Sequence, residues 1–395
     1  MYFSFGFKSS ILLLFFVHGI VFSVLLAIKG FQHEDKSSYW LSFFSFLCSM
    51  YIAPFMFGYA GWYSQELYRT LLFYIPFQQL FLLPVVLYFY CRYLLDNSFR
   101  FSKKHRLHFV PAVLYLLYAL LVFLNDRVLK GTYYFYEDGK DKDFATWYQV
   151  AGLLMLVYYL LKCLQTYKQY KRITYNEVSY ADSVMFKWAR RFLLAFLVLI
   201  AIRVLFFLVN PEWDAFGRKF WYYLSFSVLF YYVTISGYAN SILTGTSLAG
   251  RALPLPNPPP AALQVAEIDE ETLQSRSSLP DLVEWKQKIE RLMEEEKLYE
   301  NPVLILSDLS SRLGTHTKKV SQVINDGFQM NFNDFVNAYR IEAVIRKIEE
   351  GEHTVQTLLA LAYEAGFNSK STFNRAFKRA KSISPKEYIE KYHQK

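Results

Sequence analysis

Residues 365–385 read AGFNSKSTFNRAFKRAKSISP, a stretch without an acidic residue in which Lys370, Arg375, Lys378, Arg379 and Lys381 stand among short polar side chains. At helical spacing Phe373, Ala376 and Phe377 share one face, which leaves Lys370, Ser371, Thr372, Asn374, Arg375, Lys378 and Arg379 to point outward. Such a set suits hydrogen bonding to a nucleic acid. An Arg can bridge the two acceptors of guanine, an Asn can pair with adenine, and cations further along the helix can meet phosphate. Gly366 would permit a turn, Phe367 would fill the gap between two helices, and Ser369 would accept from the exposed amides that start the second.

The elements that must hold this stretch occur twice. TVQTLLALAYEAGF ends at Phe367 with its turn glycine at Gly366, and SKSTFNRAFKRAK follows. Earlier, DLSSRL with Ser307 as its expected cap ends at Gly314, and TKKVSQVIND follows. Leu309 and Leu313 correspond to Leu361 and Ala365, and Gly314 to Gly366, with one additional turn residue in the second copy. Two helices across a tight glycine turn form a helix-turn-helix, so units are expected at about 304–326 and 354–380. A longer helix, about 331–350, would join them through an apolar face that includes Phe332, Phe335, Val336, Ile341, Val344 and Ile348. Ahead of them LVEWKQKIERLMEEEKLY is amphipathic, and either packs on the domain that follows or forms a short coiled coil. A charge run is ordinarily a solvated helix face, but here the cations are confined to the second helix of a repeated pair.

The sequence AYEAGFNSKSTFNRAFKRAKSISPKEY resembles the second helix-turn-helix signature of the AraC/XylS family of bacterial transcription regulators, through Ala362, Gly366, Phe367, Ser369, Phe373, Arg375, Phe377, Lys378, Pro385 and Tyr388. Upstream, VSQVINDGFQMNFNDFVNAYRIEAV is similar to that family's first recognition helix and connecting helix, so the likeness spans about residues 298–392. The resemblance implies two units on a rigid linker helix reading successive major grooves of double-stranded DNA, with RNA polymerase and a second copy of the chain as further partners. Carried over by position, it implies base readers at Lys318, Ser321 and Gln322 and at Ser371, Thr372 and Arg375. Lys319, Lys370, Lys378 and Arg379 would contact phosphate or solvent, and Gly314 would serve as the first turn glycine. Two departures stand out: His316 occupies a capping position usually held by a smaller polar residue, and Ala380-Lys381-Ser382 replaces the usual aromatic-then-glycine turn.

The rest of the chain is of another kind. Its 395 residues are 53% hydrophobic and 19% aromatic, and apolar runs long enough to cross a bilayer recur from position 9 to 243. Seven spans are expected, at about 9–28, 39–60, 71–95, 107–124, 147–166, 191–209 and 220–243. The loop after the third carries Arg92, Arg100, Lys103, Lys104 and Arg106, and the loop after the fifth carries Lys162, Lys168, Lys171, Arg172, Lys187, Arg190 and Arg191. Cationic loops remain cytoplasmic, which puts the N terminus outside and the C-terminal domain in the cytoplasm of an inner-membrane, multi-pass protein. Loop 125–146 balances its cations against Asp126, Glu137, Asp138, Asp141 and Asp143, as an external loop would. Trp62, Trp147, Trp213 and Trp221 fall at the expected outer boundary.

Residues 244–280 are rich in proline and small side chains and read as a tether. Residues 281–395 nearly balance acids and bases, so the net charge of +9 reflects mostly the loops. Cys48, Cys91 and Cys163 lie in or beside apolar spans, and neither they nor His105 and His108 have metal-site spacing. No phosphate loop, nucleophile elbow, metalloprotease or kinase signature occurs, so neither an enzyme nor a cofactor is expected. Within the spans Arg203 is either a ligand or counter-ion site or a cation that snorkels outward, and Gln78 and Gln79 are expected to bond between helices. Pro54, Pro76, Pro84 and Pro111 would bend or break helices.

Together these features imply an all-α chain in three parts: a seven-span bundle (1–243), a flexible linker (244–280) and a DNA-binding domain (281–395). Its expected function is that of a membrane-anchored one-component transcription regulator, sensing a small molecule or an envelope signal. The competing reading is a seven-helix receptor or transporter whose C-terminal helices bind a protein partner.

Overall fold

The computed structural model describes residues 4–96, 99–137, 139, 141–184, 187–209, 219–250 and 281–393. They divide into two compact units, Met1–Tyr167 with Phe186–Ala252, and Lys168–Met185 with Leu253–Lys395. Both are helical; among the described residues the only β-pairing is an isolated bridge between Val178 and Ile305 in the second unit.

The first half of the chain forms α1 (Phe7–His33), α2 (Lys36–Tyr59), α3 (Glu66–Tyr74), α4 (Leu83–Leu95), α5 (Val110–Phe123), α6 (Thr146–Glu177), the short α7 (Ala181–Val184), α8 (Lys187–Val209) and α9 (Phe220–Gly250). A left-handed Glu34 ends α1, and Asp35 starts α2 by accepting from the Ser37 N–H at 2.9 Å. The core between these helices is apolar and aromatic, with small residues turned toward it on α1. On α1 the buried positions include Ser9, Gly19, Ser23 and Gly30, while Leu14, Val17, Val21, Val24 and Ile28 are exposed. The Ser45 hydroxyl donates to the Gly19 carbonyl at 2.9 Å and the Ser42 hydroxyl to the Ser23 carbonyl at 2.7 Å. Small, hydrogen-bonding contacts inside and aliphatic side chains outside are what a lipid solvent favours.

Among the described residues four helical stretches are long and apolar enough to cross a membrane: Phe7–His33, Lys36–Tyr59, Lys103–Lys130 and Thr146–Glu177. The expected third span is broken. Residues 75–82 leave the helix between α3 and α4, where Pro76 cannot donate and the freed backbone groups find side-chain partners. The Gln78 carbonyl accepts from the Tyr148 hydroxyl at 2.5 Å and the Gln78 N–H donates to Asp143 at 3.2 Å. The Gln78 side chain donates to Tyr223 at 2.8 Å and accepts from Gln149 at 2.9 Å. Arg203 does not snorkel: it is 5% exposed and donates to the Gln149 side chain at 2.9 Å, inside the same network. Gln79 bonds locally, to the Pro76 carbonyl at 2.6 Å, and not between helices.

Loop 125–146 is built around buried carboxylates. Asp126, Asp141 and Asp143 are buried, Asp126 accepting from Tyr74 at 2.9 Å and Asp143 accepting from the Tyr115 hydroxyl. Trp213 lies outside the described residues. So do residues 251–280 of the expected linker, whose beginning, to Gly250, continues α9.

The second unit adds α10 (Leu282–Glu295), α11 (Leu306–Arg312), α12 (Thr317–Gly327), α13 (Phe332–Glu349), α14 (Leu358–Glu364), α15 (Lys370–Lys381) and α16 (Pro385–His393). Its core centres on α13, which buries Phe332, Phe335, Val336, Ile341, Val344 and Ile348 against Leu309, Val320, Leu361, Phe373 and their neighbours. The amphipathic α10 buries Ile289 and Met293 in that core and lays Trp285 under the Lys319 ammonium at 4.0 Å, so it packs on the domain that follows. Ser307 is not the cap of α11. The helix starts at Leu306, and Asp308 accepts from the Ile305 N–H at 3.1 Å.

Candidate nucleic-acid interface

The two glycines that the sequence singles out both sit at left-handed turns, Gly314 at φ +62° and Gly366 at φ +93°, each just past a short helix whose central leucine, Leu309 or Leu361, is fully buried. After each turn a longer helix begins. Ser369 caps α15, its hydroxyl accepting from the Thr372 N–H at 3.2 Å; His316 opens α12 in extended conformation with no side-chain cap bond. Phe367, Phe373, Phe377 and Tyr388 form a chain of edge-on rings with centroids 5.4, 5.7 and 5.5 Å apart, which fixes α15 against α16.

With the inner faces of α12 and α15 set, their outer faces fall into one register. Val320 and Ile324 are buried on α12 as Phe373 and Phe377 are on α15. The facing positions are therefore Lys318, Ser321, Gln322 and Asn325 on the first helix and Ser371, Asn374, Arg375 and Lys378 on the second, at the same i, i+3, i+4, i+7 spacing. Ser371, Asn374, Arg375 and Lys378 are all exposed. On α12 Lys318 is exposed, whereas Ser321 and Gln322 are half-buried and Ser321 accepts from Asn325 at 3.3 Å.

A model of one protein family decides how this geometry is read. Residues 309–391 match the helix-turn-helix domain family. The helix-turn-helix match takes in α12 to α15 and most of α11 and α16, and it supports a DNA-binding regulator of the AraC type. No curated protein and no solved structure matches the chain.

Within the helix-turn-helix unit one expected base reader sits elsewhere. Thr372 is 2% exposed, its hydroxyl 2.8 Å from that of Ser369, so it belongs to the turn and not to the outward face. Asn374 stands where Ser321 stands in the first copy; the outward helical spacing already pointed to it. Of the expected phosphate contacts, Lys370 and Lys378 are exposed, Lys319 lies over Trp285, and Arg379 bridges to Asp334 at 2.6 Å. Arg375 is ion-paired with Asp182, a residue far away in sequence that no spacing pattern could indicate.

The altered turn after α15 also has a local explanation. Ser382 takes the left-handed conformation, φ +62°, that glycine would adopt without strain. Beyond it Ser384 and Glu387 form a reciprocal cap for α16: the Ser384 N–H donates to the Glu387 carboxylate at 2.7 Å and the Glu387 N–H to the Ser384 hydroxyl at 3.2 Å. The Ser384 N–H, and after it the Ser384 hydroxyl, hold the Glu387 carboxyl below its usual range.

Below the interface lies Arg340, which is fully buried on α13. Its guanidinium donates to the carbonyls of Tyr299 at 2.8 Å and Asn301 at 2.7 Å, and lies 5.8 Å from the Phe367 ring centroid. Burial pushes it down to about 9, still charged at neutral pH. It ties the loop before the first helix-turn-helix to the turn of the second.

Proposed function

We propose that the second unit reads promoter DNA sequence-specifically, as the output of a membrane-anchored one-component transcription regulator. The observation that carries this reading is the shared register of α12 and α15: two helices of one repeat present polar side chains at matching outward positions, each behind a glycine turn. In this reading Ser371, Asn374 and Arg375 meet base edges in one major groove and Lys318, Ser321 and Gln322 in the next. Lys370 and Lys378 meet phosphate, and Arg379 reaches it by leaving Asp334.

The first unit is the proposed anchor and sensor, with seven crossings, the N terminus outside and the second unit in the cytoplasm. Its aliphatic outer surface, and the serine, glycine and hydrogen-bonded glutamine set among the apolar side chains of its core, support a bilayer as its solvent. The buried network around Gln78, Gln149 and Arg203 is the proposed place where a signal would be felt.

The test is selection from a randomised duplex pool by the full chain in nanodiscs, followed by affinity measurements across salt concentrations. A defined site, with a preference that Arg375→Ala removes, is expected. Salt-dependent binding without base preference would reduce the reading to phosphate attraction. A reporter fused after residue 250 should report cytoplasm, and activity outside the membrane there would deny the module its DNA.

A further inference from the structure

The second unit contains a piece of chain that the helix-turn-helix family does not include. Residues Lys168–Met185 cluster with it although they fall, in sequence, between the apolar stretches of α6 and α8. The contacts are specific. Val178 pairs with Ile305 as an antiparallel β-bridge, and the Ser179 N–H donates to the Leu304 carbonyl at 3.1 Å. Asn333 on α13 donates to the Ser179 carbonyl at 2.8 Å, and Arg340 donates to the Ser179 hydroxyl at 3.1 Å. Val178, Ser179, Tyr180 and Ala181 are all buried. One turn on, Asp182 accepts from the Tyr175 hydroxyl at 2.6 Å and forms the ion pair with Arg375.

We infer that segment 178–182 is an intramolecular strap that restrains DNA reading, because Asp182 competes with DNA for the guanidinium of Arg375. This rests on the DNA-binding reading above. The buried part of the strap, four residues with backbone bonds to Leu304 and Asn333, supplies the docking. Asp182 supplies the block. A carboxylate that is only 10% exposed, set against an Arg that is still 59% exposed, presents the same fork-shaped acceptor that a guanine edge or a phosphate would present. It also places a negative charge where DNA would bring its own. Arg379 is held in parallel by Asp334, so the two arginines of α15 each face a carboxylate of this unit. The strap follows directly on α6 and runs into α7, so a change at the end of α6 reaches Asp182, and through it Arg375, along the chain itself. Such a device acts by making the DNA-free and DNA-bound forms of the strap differ in energy.

The test uses the full chain in nanodiscs and duplexes selected from a randomised pool by the unaltered protein. Asp182→Asn removes the charge and keeps the shape; Glu284→Gln removes an exposed acid elsewhere in the same unit as the control for net charge. Asp182→Asn is expected to tighten binding to the selected duplex by roughly three- to tenfold, and Glu284→Gln by less than twofold. Equal effects of the two, or no effect of Asp182→Asn while Arg375→Ala still abolishes base preference, would overturn the strap and leave the DNA reading intact. Absence of base preference in the unaltered protein and every variant would overturn both.

Discussion

Gly366 lies with its backbone against the carbonyls of Tyr299 and Glu300: a Cβ there would overlap the Tyr299 oxygen and stand 2.8 Å from that of Glu300. Gly314, its counterpart in the first copy, has nothing within 4 Å of the same position. Both have positive φ, so alanine is strained at either, by about 1–2 kcal/mol. Only at Gly366 must the backbone also move. Gly314→Ala is therefore expected to lower unfolding free energy by about 1 kcal/mol, and Gly366→Ala by roughly 3 kcal/mol or more. Equal losses in denaturant titrations of the full chain would show that the contact with Tyr299 is not what fixes the second turn.

The cations of α15 are expected to separate by role. Arg375→Ala should relax sequence preference at one base pair and weaken the selected duplex by about 1–3 kcal/mol while leaving other duplexes nearly unchanged. Lys378→Ala should weaken all duplexes alike and reduce the slope of log affinity against log salt by about one. Asn374→Ala should act like Arg375→Ala, and Thr372→Val like neither, since Thr372 faces the turn. Competition binding against singly altered duplexes distinguishes the two patterns.

What sequence could tell here follows from the range of the interactions. The repeat, its glycines and the inner faces of α12, α13 and α15 are local patterns, and Gly314, Gly366, Phe373 and Phe377 occupy the expected places. Thr372 was misassigned because an outward angle on a helix wheel ignores the first turn, where a short side chain folds back on the cap. The burial of Asp143 and Arg203 was not legible, since only tertiary structure brings a tyrosine partner to the first and a glutamine partner to the second. The Asp182 contact joins positions nearly two hundred residues apart, beyond the reach of any periodicity. The break at residues 75–82 was foreshadowed by Pro76, but hydropathy alone runs straight through it.

Arg340 is expected to be the most sensitive single side chain of the second unit. Truncation to alanine leaves the Tyr299 and Asn301 carbonyls without their donor in a buried setting and opens a cavity beside Phe367. The loss should be about 3 kcal/mol or more. Arg340→Lys should recover little of it, because one ammonium cannot span the carbonyls that the planar guanidinium reaches together. Hydrogen exchange gives a second readout: the Ser179 amide should lose protection in Arg340→Ala. Full protection of Ser179 in that variant would mean that the guanidinium does not hold this part of the chain.

The junction of α15 and α16 gives opposite expectations for two neighbouring changes. Ser382 is non-glycine at φ +62°, so Ser382→Gly should stabilise the unit, by up to about 1 kcal/mol, by relieving that strain. Glu387, in contrast, contributes through its charge. Its carboxyl titrates below the usual value of 4.5 because the Ser384 N–H and hydroxyl bind the ionised form, so the folded state holds fewer protons than the unfolded state in that window. Its contribution is present in full above pH 4.5 and is lost as pH falls through the lower folded value. Glu387→Gln should therefore destabilise at pH 7 and approach the unaltered protein as the pH drops below 4.5, with α16 amide exchange as the measurement. A difference that stays constant with pH would mean that the carboxylate acts by shape alone and that the reciprocal cap with Ser384 carries no charge-dependent share.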